Sequence, residues 1–310
     1  MRVLRPDPGA ARGSERRRGD DLPAMRVARS ATAPVSSLVA YPGPAGSHSG
    51  AAAATLHPAA ELHPLGGFRA VADAVAHAEV EQGVLPIESS LAGSVPETHD
   101  LLHERALSIV AEAVLPIRHC LVAVADVPLE EIRVVRSHPS ALEQCRTLLD
   151  SLPNATVIPA STTADAARET AETGDASAAA IAGPEAAGLY GLVTLRDDVG
   201  DGPAFTRFVS VAPYTWLGAR RDGARTAFTF ITDHRPGALH AAIAPFAVAG
   251  LDLVRLVSRP LPASPWSYRF DAVVAGHPLD PVVRRALDEL AGLTRSHRVA
   301  GVYEAAQVSA

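Results

Sequence analysis

Ile132-Arg133-Val134-Val135-Arg136-Ser137-His138-Pro139-Ser140-Ala141-Leu142-Glu143-Gln144-Cys145-Arg146-Thr147-Leu148-Leu149 reads as a strand, a tight turn and a helix in immediate succession. Ile132 to Val135 forms the strand. Ser137-His138-Pro139 supplies a plausible cap, and Pro139 to Leu149 continues as the helix. The unit repeats on both sides. Downstream, Thr156-Val157-Ile158 precedes a helix opening near Ser161-Thr162, and Ala178 to Ile181 precedes another near Gly183. Upstream, Leu38-Val39-Ala40-Tyr41 reads as a strand, then a Gly/Pro turn, then a helix of small residues from about Ser49. Strand–helix alternation of this kind implies an α/β fold with largely parallel sheets. In such sheets ligands bind at the carboxyl ends of strands, beside helix N-termini.

A second pattern begins after residues 214–225, a linker containing Gly218-Ala219-Arg220-Arg221-Asp222-Gly223. Thr226 to Ile231 reads as a strand. Pro236 to Val248 reads as a helix with Leu239, Ile243 and Phe246 on one face. Leu251 to Val257 and Ser267 to Val274 follow as strands. Asp280-Pro281 opens a helix with Val283, Leu287 and Leu290 inward, and Arg298 to Tyr303 is a last strand. The order β-α-β-β-α-β is the ferredoxin-like arrangement. Residues 1–36, rich in Arg, Pro, Gly, Ser and Ala, lack hydrophobic periodicity and read as a disordered tail.

Composition removes whole classes of chemistry. All 28 basic residues are arginine, which excludes a Schiff-base lysine and a Walker-type phosphate loop. The formal charge of -6 argues against general nucleic-acid binding. No apolar run approaches the ~20 residues of a membrane span. The two cysteines, Cys120 and Cys145, cannot make a disulfide framework, and their spacing from His119 and His138 fits no zinc pattern. A cytoplasmic protein without a metal or organic cofactor is expected.

Four loops at strand ends carry polar groups that could meet a ligand. Gly43-Pro44-Ala45-Gly46-Ser47-His48-Ser49 offers backbone N–H groups and hydroxyls at a helix start, although Ser47 and Ser49 would serve equally as caps. Pro86-Ile87-Glu88-Ser89-Ser90-Leu91-Ala92-Gly93 brings a carboxylate and two hydroxyls to a turn. Ser137-His138-Pro139 is the third. In the fourth, Phe205-Thr206-Arg207-Phe208, strand alternation puts Thr206 and Phe208 on one face and Arg207 on the other.

In this order, and joined by Asp100-Leu101-Leu102, His119-Cys120-Leu121 and Leu189-Tyr190-Gly191-Leu192, these segments closely resemble the prephenate dehydratase family over nearly everything after residue 37. Phe205-Thr206-Arg207-Phe208 is similar to its Thr-Arg-Phe signature. Pro86-Ile87-Glu88-Ser89-Ser90 is similar to its Pro-Ile-Glu-Asn-Ser/Thr motif. The second unit resembles an ACT regulatory domain through Gly237-Ala238-Leu239 and Ser258-Arg259-Pro260. The resemblance implies two α/β subdomains around a cleft, as in periplasmic binding proteins, over residues 37–213. It implies an ACT domain over 226–305 that binds phenylalanine between paired subunits, in a homodimer or homotetramer.

It further implies decarboxylative dehydration of prephenate to phenylpyruvate, with no cofactor. Thr206 is then expected to hydrogen-bond or protonate the departing oxygen. Arg207 would supply charge for a carboxylate or fix the motif, and Phe208 would pack beside the ring. Ser47, Ser49, Ser90, Ser161 and Thr162 are expected to line the cleft as donors, and Glu88, which would orient its loop, and Ser89 complete the expected substrate-binding set. The effector would meet Gly237, Ala238, Leu239, Asp252, Ser258, Arg259 and Pro260.

Three positions depart from the family pattern: Ser89 for Asn, Val257 for the Glu of Glu-Ser-Arg-Pro, and Asp252 for Asn. The last two imply weakened or altered inhibition by phenylalanine. Three competing readings remain: a non-aromatising prephenate decarboxylase, an arogenate dehydratase, and a non-catalytic amino-acid sensor. Intact Thr206 argues for catalysis.

Overall fold

The computed structural model describes residues 37–213, 223–262 and 264–306. The tail at 1–36 and most of the linker, 214–222, lie outside the described residues. The first lobe comprises β1 (Leu38–Pro42), α1 (His48–Leu56), β2 (Glu61–Leu65), α2 (Phe68–Ala76), β3 (Gln82–Ser89), β4 (Gly93–Ser94), α3 (Pro96–Glu104) and β5 (Ser108–Pro116). The chain then crosses into a second lobe of β6 (Cys120–Ala123), β7 (Val134–Ser137), α4 (Pro139–Gln144), α5 (Arg146–Asp150), β8 (Thr156–Pro159), α6 (Thr163–Thr173), β9 (Ala178–Ala182), α7 (Pro184–Tyr190) and β10 (Val193–Arg196). It returns to the first lobe as β11 (Phe205–Ala212). The C-terminal unit is β12 (Ala224–Ile231), α8 (Ala238–Val248), β13 (Leu253–Pro260), β14 (Tyr268–Ala275), α9 (Pro281–Leu293) and β15 (Ser296–Glu304).

The second lobe has its own sheet, ordered β10-β6-β9-β7-β8, with β7, β8 and β9 parallel. Its central strand β9 is buried along its whole length, because helices cover both faces of a parallel sheet. The C-terminal unit has the order β13-β14-β12-β15, which is ferredoxin-like. Phe228, Phe230 and Phe246 stack in its core beneath α8 and α9. This sheet does not stand apart. Strand β15 runs parallel to β5 with Gly301 opposite Ile109, so the order continues β15-β5-β11-β3-β1-β2 into the first lobe.

Several boundaries differ from the sequence reading, each for a local reason. The helix expected over 139–149 breaks at Cys145. The Asp201 carboxylate accepts the N–H groups of Arg146 at 2.9 Å and Thr147 at 3.1 Å, and so caps a fresh helix from a distant loop. The strand expected from Ile132 starts at Val134, because Ile132 N donates to Leu129 O (3.1 Å) and closes a 3-10 turn. The strand expected to end at Val257 continues through Ser258, Arg259 and Pro260. Proline is tolerated there because β13 is an edge. Asp280 holds the N-cap position of α9, yet its carboxylate accepts from His277 N at 3.1 Å.

Candidate active site

A cleft of about 440 Å³ separates the two lobes. It lies where the parallel strands β1, β7 and β8 end and the following helices begin, as strand direction requires. The helix starts are held by their own side chains. Ser47 Oγ accepts from Gly50 N (3.2 Å) at α1. Thr162 Oγ1 accepts from Asp165 N (2.9 Å) at α6 while its hydroxyl donates to Asp165 Oδ2 (2.8 Å). His138 Nδ1 accepts from Ser140 N (3.2 Å) and lies 2.8 Å from Ser140 Oγ. A ring nitrogen that accepts a backbone N–H keeps its lone pair, so neutral His138 carries its proton on Nε2.

Strand β11 forms one wall. It lies antiparallel between β3 and β5, with Thr206 opposite Ser89 and Leu115. Thr206 and Phe208 line the cleft, as alternation requires. Phe208 is fully buried and packs in a cluster with Val39, Tyr41 and Val84, so its ring makes a rigid floor. Ser47, Ser49, Ser89, Ser161 and Thr162 line the same cleft. The Ser89 hydroxyl accepts from Leu91 N (3.3 Å) and Ala92 N (3.4 Å), which shapes the turn after β3.

Three residues expected at the substrate lie elsewhere. Ser90 ties β3 to β11: its N–H donates to Phe205 O and its Oγ accepts from Phe205 N, both at 2.9 Å. Arg207 and Glu88 sit on the opposite face of the sheet, where Arg207 Nε donates to Glu88 Oε2 at 3.0 Å. Arg207 Nη1 also lies 2.7 Å from Glu112 Oε1. Burial opposes the Arg207 charge, and the Glu112 and Glu88 carboxylates outweigh it. Of the two roles open to Arg207, the geometry supports fixing the motif.

Among the described residues, no arginine and no carboxylate lines the cleft. The titratable groups there are three histidines: His48, His119 and His138. His48 and His119 meet edge to face at 6.1 Å. His119 Nε2 lies 3.2 Å from Gln144 Oε1. Burial lowers the pKa of both rings. The Glu185 carboxylate and Arg118 carbonyl partly offset this for His48, and Gln144 does so for His119. His48 Nε2 and His119 Nδ1 are buried without a hydrogen-bond partner among the described residues. An anion would therefore be held by neutral donors and helix N-termini instead of fixed cations. The sequence reading missed His48 and His119 as cleft residues. Their only local signal was proximity to the glycine-rich loop and to Cys120.

The residues expected to bind an effector divide between two ends of β13. Arg259 and Ile231 both lie opposite Arg269, so the turn to Gly237 shares one sheet end with Ser258, Arg259 and Pro260. Gly237 takes φ +78 at the start of α8, with Ala238 buried and Leu239 packed on the core. Asp252 precedes the other end, ~23 Å away by strand rise. Within one chain these residues do not form a single site.

The family model described as prephenate dehydratase matches residues 39–214. The Arabidopsis thaliana protein named arogenate dehydratase/prephenate dehydratase 2, chloroplastic, is 35% identical over 275 residues, covering 86% of this chain and 72% of its own length. The bifunctional N-acyl-homoserine lactone acylase/prephenate dehydratase of Komagataeibacter europaeus is 35% identical over 271 residues, covering 86% of this chain and 96% of its own. The crystal structure of prephenate dehydratase in complex with L-Phe from Arthrobacter aurescens superimposes with a TM-score of 0.79 at 33% identity. The match covers 86% of this chain and 90% of that one. The chain spans 57 to 72% of the length of three plant relatives it matches.

Proposed function

Because this chain belongs to the prephenate dehydratase family, we propose that its cleft binds prephenate and that Thr206 serves the departing hydroxyl. The observation that carries this reading is the placement of Thr206 and Phe208 together in a cleft walled by helix N-termini. Prephenate presents two carboxylates, a ring hydroxyl and a six-membered ring. The carboxylates meet the capped starts of α1 and α6 and the Nε2–H of His138, and the ring rests on Phe208. Loss of the carboxylate as CO2 leaves its bonding pair in the ring. The hydroxyl departs with the C–O bonding pair and a proton drawn from solvent, leaving as water, and the ring becomes aromatic.

Threonine is a very weak acid, so Thr206 acts as a hydrogen-bond donor to the leaving oxygen as negative charge builds on it. Aromatisation supplies the driving force. An aminated substrate such as arogenate would bring an ammonium group, and the cleft offers no carboxylate among the described residues to meet it. That favours the keto acid.

The C-terminal unit is read as an ACT domain, with phenylalanine as its ligand. Its ferredoxin-like order and the L-Phe complex of the Arthrobacter aurescens enzyme support this. Assembly as a homodimer or homotetramer belongs to the same proposal. The edge strand β13, with Val254 and Leu256 exposed, offers a contact. A cytoplasmic location belongs to the same proposal; no helix among the described residues is long and apolar enough to cross a membrane.

The test is phenylpyruvate formation from prephenate at neutral pH, with Thr206→Ala in parallel. Formation that collapses in the variant supports the assignment. Consumption of prephenate to a non-aromatic product would replace it with decarboxylation alone, and turnover restricted to arogenate would change the substrate.

A further inference from the structure

Glu112 occupies the seam between the catalytic lobe and the C-terminal unit, with its side chain 1% exposed. One of its oxygens, Oε1, collects donors from three segments. Arg207 Nη1 of β11 lies at 2.7 Å, Arg225 Nη1 of β12 at 2.9 Å, and the N–H of Ala306, just past β15, at 3.2 Å. The seam itself is tight. A Cβ on Gly301, at φ +147, would fall against the backbone of Ile109, so only glycine lets β15 approach β5.

The ladder around Thr206 is irregular. Register shifts between Arg207 and Phe208 against β3, and between Ser210 and Val211 against β5. A slip of one residue in β11 would turn Thr206 away from the cleft. Arg207, the next residue in the chain, is the group that ties β11 to both neighbours at this level: to Glu88 of β3 and to Glu112 of β5. Buried ion pairs add little net stability, and fixing register is among their best-attested uses.

We propose that Glu112 is a positioning residue for Thr206: it fixes the register of β11 through Arg207 and, through Arg225, makes the C-terminal unit part of the same clamp. This rests on the reading of Thr206 as the leaving-group donor. Its consequence is that a change in the C-terminal unit has a route to the reacting centre through this carboxylate. A cavity of about 20 Å³, lined by Glu88, Glu112, Arg207, Arg225 and Tyr303, adjoins the clamp. It has room for one water, so Glu112→Gln can be hydrated without unfolding.

The experiment compares kcat and KM for prephenate in the wild type, Glu112→Gln, Arg225→Met and the double variant. Displacement of Thr206 predicts a fall in kcat of about 10- to 100-fold in Glu112→Gln, with KM within about threefold. Arg225→Met, remote from the cleft, should lose at least about fivefold in kcat, and the double variant should be no worse than Glu112→Gln alone. Retained kcat in both single variants, or losses that simply multiply, would overturn the clamp. Should Glu112→Gln not fold, Glu112→Asp with Arg225→Met decides by the same criteria. A wild type inactive on prephenate would refute the functional reading alone. The clamp would then be judged by the amide resonances of Thr206 and Phe208, which must shift in Arg225→Met if it exists and stay fixed if it does not.

Discussion

Arg259 grips Asp100 with a two-pronged bond, Nε to Oδ1 at 3.1 Å and Nη2 to Oδ2 at 2.6 Å, and so joins edge strand β13 to helix α3 of the catalytic lobe. Arg269 adds a bond to the carbonyl of His99 (3.0 Å), and Asp271 Oδ2 lies 3.1 Å from His99 Nδ1. Helix α3 begins just after Val95, which lines the cleft. Arg259→Ala should therefore loosen the C-terminal unit and lower stability by about 1–2 kcal/mol, the value of a partly exposed bidentate pair. Urea unfolding of Arg259→Ala, Asp100→Asn and the double variant checks this, and additive losses would mean that the two groups are not coupled.

Gly301→Ala should be among the most damaging single changes. The added methyl group meets the Ile109 carbonyl in a backbone conformation that L-residues avoid. A loss of about 3 kcal/mol or more is expected, with the C-terminal unit melting separately from the catalytic lobes. A single, unchanged calorimetric transition would show that the β15–β5 pairing contributes nothing.

Ser89→Asn should tighten substrate binding. An amide oxygen can accept the Leu91 and Ala92 N–H groups now held by the hydroxyl, and its NH2 adds a donor toward the cleft. One further hydrogen bond to a carboxylate predicts a KM lower by about 10-fold, with kcat little changed. Initial rates over a range of prephenate concentrations measure it.

Phenylalanine should bind weakly or inhibit little, since Val257 stands where the family pattern has Glu and Asp252 where it has Asn. Calorimetric titration with L-phenylalanine, alongside inhibition of turnover, tests this. Tight binding with strong inhibition would show that these positions do not set the effector response.

Acid should destabilise the fold through its histidines. Burial holds His57, His48 and His119 below the usual histidine pKa. Each folded-state pKa is thus lower than the unfolded value of about 6.5, and the unfolded chain takes up protons first as pH falls. Their contribution is fully present above about pH 6.5 and is lost as pH falls through the depressed values. His57 Nε2 meets Ser210 Oγ at 2.9 Å, so His57→Gln keeps a donor there. The urea midpoint of that variant should fall less than wild type between about pH 7 and pH 5.

Local pattern alone determined much of this protein. The strand–helix alternation from Leu38 to Gly183 gave the parallel architecture, and the β-α-β-β-α-β order of the last unit was legible in its periodicities. The two-residue repeat of a strand put Thr206 and Phe208 on one face before any partner strand was known. Other elements left no such trace. Strand β2, Glu61-Leu62-His63-Pro64-Leu65, is a largely exposed edge, so its side chains do not alternate between core and water. Helix α3 buries Thr98 and His99, polar residues that periodicity reads as surface.

Only the tertiary structure decided what Arg207 does. Its partner Glu112 lies on another strand, and the two are brought together by pairing between segments far apart in sequence. The break at Cys145 has the same origin, a capping carboxylate at Asp201. Side-chain direction along a strand or helix is a local property, written in the spacing of residues. The partner of a buried charge is fixed by long-range register, which no local spacing encodes.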